Sequence, residues 1–185
     1  MPTIDNARVL IMATDGFEQS ELLVPHDMLS QQHATVHIAS PDAAEITGWD
    51  ETDWGEKVQA DLSIADAKAD DYDALILPGG QINPDKLRGN EDAIALIKSF
   101  AGAGKPVAAI CHAPWLLIEA GLVEGRTLTS FSSIRTDLRN AGANVVDREV
   151  AVDGHLITSR SPDDLKAFVG AITEAIEGDG QAVAA

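Results

Sequence analysis

A chain of 185 residues, 45% of them apolar, can bury a full hydrophobic core and is too apolar for its body to stay disordered. Its formal net charge of -17, from 30 acidic and 13 basic side chains, works against nucleic acid and anionic membrane as partners, because affinity for phosphate comes from Lys and Arg. The single cysteine excludes an internal disulfide and points to a reducing compartment.

The first residues, Met1 to Asn6, lack the basic stretch and apolar run of a secretory signal, so a cytoplasmic protein is expected. The most apolar window, Val107 to Val123, is interrupted by His112, Pro114 and Glu119 and falls short of a membrane span. Ala7 to Ala13 is apolar without alternation, the pattern of a strand buried on both faces of a parallel sheet. Thr14-Asp15-Gly16 ends it, and Asp15 with Glu18 reads as the capping box of a following helix. Leu22, Leu23, Met28 and Leu29 form that helix's inward face, and Pro25 should kink it or begin its second part.

Thr35 to Ser40 is a second strand. Glu45 to Gly48 and Lys57 to Leu62 are expected to pair as a small hairpin beside the main sheet. Asp73 to Leu77 is a strongly apolar core strand running into Pro78-Gly79-Gly80, a sharp loop with exposed amides that Asn83-Pro84-Asp85 continues. A helix from Asn90 stops at Gly102 and Gly104.

Next come the Lys105 to Ile110 strand, the turn at Cys111, and a helix from Trp115 to Ala120. Arg126 to Phe131 reads as another strand and Ile134 to Asn140 as a short helix. Glu149 to Val152 and His155 to Ser159, joined by Asp153-Gly154, carry the clearest hairpin signal in the chain. Ser161 to Asp164 opens a last helix whose inward face is Leu165, Phe168, Val169 and Ile172. The tail from Gly178 to Ala185 is expected to fray.

No repeat or linker interrupts this order, which predicts one α/β domain over 1–185 with its core in 7–177. Its sheet is mainly parallel and doubly wound. Such sheets bind ligands at the carboxyl ends of their strands, so the segments at Asp15 to Glu21, Gly79-Gly80 and Cys111-His112 should converge.

Free cysteine is among the most buried residue types, and an inert core thiol is the plain reading of Cys111. Its position argues otherwise. It sits where a buried strand turns into a helix, flanked two residues away by the small Ala109 and Ala113, as a tight nucleophile turn requires. Unpaired amides there favour the thiolate. His112 can serve as its base if a third group orients the ring, although neighbours on a turn usually point apart. Glu21 can reach the sulfur, whereas the capping box already explains Glu18. His26, His33, His37 and His155 are scattered without metal-ligand spacing, and no metal site is expected.

Several of these stretches together resemble the PfpI family of the ThiJ/PfpI superfamily. They are Phe17 to Leu22, Leu77-Pro78-Gly79-Gly80, Ala109-Ile110-Cys111-His112 with Pro114, and Thr158 to Leu165. The resemblance runs from about Arg8 to Glu177. It implies a flavodoxin-like sandwich, Cys111 as nucleophile, His112 as base, Glu21 as a buried acid beside the thiol, and Gly80 with the His112 amide as the oxyanion site. In several relatives an acid from a neighbouring subunit completes a triad. Asp85 stands nearest that place, in a loop one residue longer than in the archaeal relatives. Ala113, Trp115 and Phe131 replace a common Gly, Gln and Tyr.

The implied activity needs no cofactor: a stress-response enzyme whose cysteine thiolate attacks a carbonyl, with small carbonyls, glycated groups or peptides as substrates and a homodimer as the assembly. The alternatives are a redox-sensing stress protein or chaperone with little turnover and, on fold alone, a flavin-binding protein.

Overall fold

The computed structural model describes residues 2–178. In chain order its elements are β1 (Arg8–Met12), β2 (Phe17–Glu18), α1 (Gln19–Gln31), β3 (Thr35–Ser40), β4 (Glu45–Asp50), β5 (Asp53–Gln59), β6 (Leu62–Ser63) and β7 (Ala74–Leu77). There follow α2 (Ile82–Arg88), α3 (Glu91–Gly102), β8 (Val107–Ile110), α4 (Pro114–Glu119), β9 (Thr127–Leu128), α5 (Arg135–Asn140), β10 (Asn144–Val145), β11 (Val150–Asp153), β12 (Leu156–Ser159) and α6 (Leu165–Glu177). The main sheet has seven strands in the order β11-β12-β8-β7-β1-β3-β6. Every pairing in it is parallel except β11 with β12. That exception is the Asp-Gly hairpin, with Asp153 opposite Leu156 and Gly154 in the left-handed region at φ 61°.

The apolar runs that lacked alternation are buried on both faces. Val9, Ile11, Ala74, Ile76, Ala108, Ile110 and Ile157 face one layer, where Leu22 and Leu29 of α1 meet Phe168, Val169 and Ile172 of α6. Leu10, Met12, Leu75, Leu77, Val107, Ala109 and Leu156 face the other, against Leu87, Ile97, Phe100, Leu116 and Leu138. Each large side chain fully buried this way contributes roughly 1.5–3 kcal/mol, so the two layers hold the central strands β7 and β8 rigidly in place. Their carboxyl ends are the floor of the site. Among the described residues, no helix is long and apolar enough to cross a membrane.

Several expectations are corrected. Asp15 and Glu18 do not form a capping box: Asp15 accepts the Thr47 amide, Glu18 accepts the Ser20 hydroxyl, and α1 begins only at Gln19. The cause is β2, which pairs Phe17 and Glu18 with Gly48 and Trp49 and keeps that stretch extended. One helix runs through Pro25; no second helix begins there. The β4–β5 hairpin exists but ends at Gln59, while Leu62 and Ser63 join β3 at the edge of the main sheet. Asn83-Pro84-Asp85 is not loop but the first half of α2, since a proline in the first helical turn lacks only an amide that would be unpaired anyway. The stretch from Arg126 keeps just two strand residues, paired with β10 in a sheet of its own. Gly178 ends α6 with a left-handed cap at φ 84°; the rest of the tail lies outside the described residues.

Candidate active site

Three adjacent strands of the sheet, β1, β7 and β8, deliver the segments that were expected to converge. Immediately after β8, Cys111 adopts φ 63°, a left-handed conformation that costs a non-glycine residue about 1–3 kcal/mol. The surroundings hold it there. Its amide donates to Ser159 O at 3.1 Å and its carbonyl accepts from Phe131 N at 2.9 Å. This backbone kink brings the two neighbouring side chains together: Cys111 Sγ lies 3.1 Å from His112 Nδ1. Both residues are nearly fully buried.

The His112 ring stacks on Phe131, with centroids 4.9 Å apart, and meets the Trp115 edge at 5.3 Å. Its Nε2 faces Ser133 Oγ at 3.2 Å. Trp115 is held in turn, donating Nε1–H to Asp137 and lying under the Arg88 guanidinium.

Glu21 is fully buried in the first turn of α1. Its Oε2 accepts the Gly79 amide at 2.8 Å, while Oε1 has no protein partner. Gly79 stands where the acid and the thiol meet. A Cβ there would lie 2.6 Å from Glu21 Oε2, 2.7 Å from Cys111 Cβ and 2.8 Å from Ile110 O, so no other residue fits. Gly80, at φ 78°, is equally constrained: a Cβ would come within 2.5 Å of Gly16 O.

Sequence reading missed Asn83, which ties this arrangement together. Fully buried, it accepts the Thr14 amide and donates to Pro78 O and Gly79 O, clamping the end of β1 to the Gly-Gly loop. Its signal in the sequence, an Asn-Pro pair after glycines, reads as a turn and hides this role. Asp85 is exposed on α2, and within this one chain the side chain that faces His112 Nε2 is Ser133.

A family model described as the DJ-1/PfpI family matches residues 7–175. The chain belongs to that family. It is 44% identical over 162 residues to Deglycase TK1284 of Thermococcus kodakarensis, covering 88% of this chain and 95% of the relative. Deglycase PfpI of Pyrococcus furiosus is 41% identical over the same shares. Among solved structures, DJ-1beta of Drosophila melanogaster superposes with a TM-score of 0.85 at 29% identity, covering 94% of this chain and 91% of that one. The flavodoxin-type sandwich is thus the DJ-1/PfpI fold.

The electrostatics of this DJ-1/PfpI site follow from burial. Burial raises the Glu21 carboxyl to about 8, against the opposing pull of the Gly79 amide, so Glu21 is largely protonated at neutral pH. Burial also pushes the Cys111 thiol up, and charge on Glu21 adds to this. The Gly80 and His112 amides, which donate to the sulfur, pull it down. A protonated Glu21 removes the repulsion. Burial lowers His112 as well, leaving it neutral and able to accept a proton at pH 7.

Proposed function

We propose that the chain is a cofactor-independent deglycase-type enzyme in which the Cys111 thiolate attacks the carbonyl carbon of a small glycation adduct. The observation that carries this is the 3.1 Å contact between Cys111 Sγ and a neutral, buried His112 Nδ1 at a strained turn, in a chain 41–44% identical to proteins named deglycases. His112 takes the thiol proton as sulfur bonds to the carbon, the amine leaves with that proton, and water then cleaves the C–S bond and returns the thiol. The Gly80 and His112 amides, already aimed at the sulfur, suit an oxyanion forming beside it. Peptide cleavage would begin with the same step, but the aromatic enclosure by Trp115 and Phe131 favours small adducts over extended chains.

The test is turnover of methylglyoxal-modified N-acetyl-lysine and N-acetyl-cysteine, followed by release of the free amino acid. Cys111→Ala should abolish it; retained turnover refutes the proposal.

A homodimer is the proposed assembly, with Asp85 of a second copy approaching His112. Its support is that Asp85 lies on the exposed side of α2, one turn from the Arg88 that covers Trp115. One observation favours a second reading, oxidative sensing: the partnerless Glu21 Oε1, protonated beside the thiol, suits a hydrogen bond to a sulfinate. Mild peroxide should then convert Cys111 to the sulfinic acid by mass spectrometry, and a free thiol where methionine oxidises would remove this reading. A flavin phosphate finds no cradle in the Gly79-Gly80 loop, whose two amides turn inward to Glu21 and Cys111.

A further inference from the structure

We infer that Ser133 is the positioning residue for His112, fixing the ring from within one chain so that Nδ1 is free to take the Cys111 proton. The inference rests on the reading of His112 as the base for Cys111. A buried imidazole next to a thiol can carry its single proton on either nitrogen, and only the Nε2–H form leaves Nδ1 as an acceptor. That form needs an acceptor at Nε2, and Ser133 Oγ, a hydroxyl that can turn to accept, stands 3.2 Å away.

The ring itself cannot swing to another partner. It is stacked on Phe131 at an interplanar angle of 25°, and the Trp115 edge approaches at 68°. Ser133 reaches this position because its segment is anchored to the turn: Phe131 N donates to Cys111 O, and the single 3-10 turn Ser132–Ile134 follows directly. One stretch of chain therefore supplies both the stacking surface and the hydrogen bond.

A hydroxyl differs from a carboxylate here. It accepts Nε2–H but adds no negative charge, so His112 stays neutral at rest and becomes imidazolium only after taking the thiol proton. The atoms balance simply: the S–H bond breaks, an N–H bond forms at Nδ1, and Nε2–H remains donated to Ser133 Oγ throughout.

The experiment uses the full chain without substrate, so its failure is distinct from failure of the deglycase reading. Nitrogen NMR of histidine-labelled protein reports the His112 tautomer, and iodoacetamide reports Cys111 reactivity against pH. Wild type should show Nε2–H with Nδ1 unprotonated. Ser133→Ala should lose that single tautomer and slow alkylation at neutral pH about tenfold, the loss expected from one hydrogen bond at the base. Ser133→Thr, which keeps the hydroxyl, should restore both. Ser133→Asp should raise the pH at which His112 protonates by at least about one unit, moving the acid limb of the alkylation profile with it. Ser133 is exposed at the surface, so these variants should fold. An unchanged tautomer and alkylation profile in Ser133→Ala overturns the inference.

Discussion

Glu21→Gln isolates the cost of keeping an acid in the floor of the site. Gln preserves the shape and can still accept the Gly79 amide, but it cannot ionise. In the native chain the carboxyl is raised from an unfolded value near 4.5 to about 8. The unfolded state thus releases its proton first as pH rises, so this group's favourable contribution is full below about pH 4.5 and is lost steadily up to about 8. The slope is about 1.4 kcal/mol per pH unit within that window. Between pH 5 and pH 8 the native chain should lose about 3 kcal/mol of stability through Glu21 alone. Urea unfolding at pH 5, 6, 7 and 8 gives this as the difference between native and Glu21→Gln curves, which removes contributions common to both. The variant should gain relative stability as pH rises. Parallel curves would show that Glu21 ionises normally in the fold, and the protonated-acid account of the site would be wrong.

Gly79→Ala should destabilise the fold by about 3 kcal/mol, because two of the atoms it meets belong to the backbone-proximal Cys111 Cβ and Ile110 O; urea denaturation measures it. Asn83→Ala strips partners from the Thr14 amide and the Pro78 carbonyl and leaves Gly79 O only the Glu18 amide; it should cost about 2–3 kcal/mol in the same assay while slowing Cys111 alkylation as the Gly-Gly loop loosens. If two copies share their sites, mixing Cys111→Ala with Asp85→Asn subunits should recover activity that Asp85→Asn alone lacks; no recovery on mixing argues against a shared acid. With a net charge of -17, the native chain should gain thermal stability as salt is raised from 0.01 to 1 M on the order of the range over which screening tightens, and a flat melting temperature would show that its acids do not repel significantly.

Much of the fold was legible because it rests on local pattern. Apolar runs without alternation at Val9, Leu75 and Val107 announced strands buried on both sides, and Asp153-Gly154 announced the one antiparallel hairpin. Alternation of strands with helices set the doubly wound order, and that order alone brought Glu21, Gly79-Gly80 and Cys111 to neighbouring strand ends. Cys111 stood out by position, between a strand and a helix with alanines around it. What local pattern misjudged was wherever tertiary contacts competed with it. Asp15 and Glu18 had the spacing of a cap, but pairing of β2 with β4 kept Glu18 extended and turned Asp15 to the Thr47 amide. Asn83 had the chemistry of a turn, yet the fold buried it as a clamp.

The geometry of the candidate site depended on long-range contacts that no spacing encodes. Adjacent side chains usually diverge, and Cys111 meets His112 only because Ser159 and Phe131 hold the turn at a positive φ. Ser133, 21 residues away, reaches Nε2 only after the sheet and the Phe131 anchor fix both segments. Sequence determined which candidate residues gather and at which strand ends they sit, since those follow from periodicity and residue type. Only the tertiary structure decided their protonation and orientation, because burial and distant hydrogen-bond partners set both.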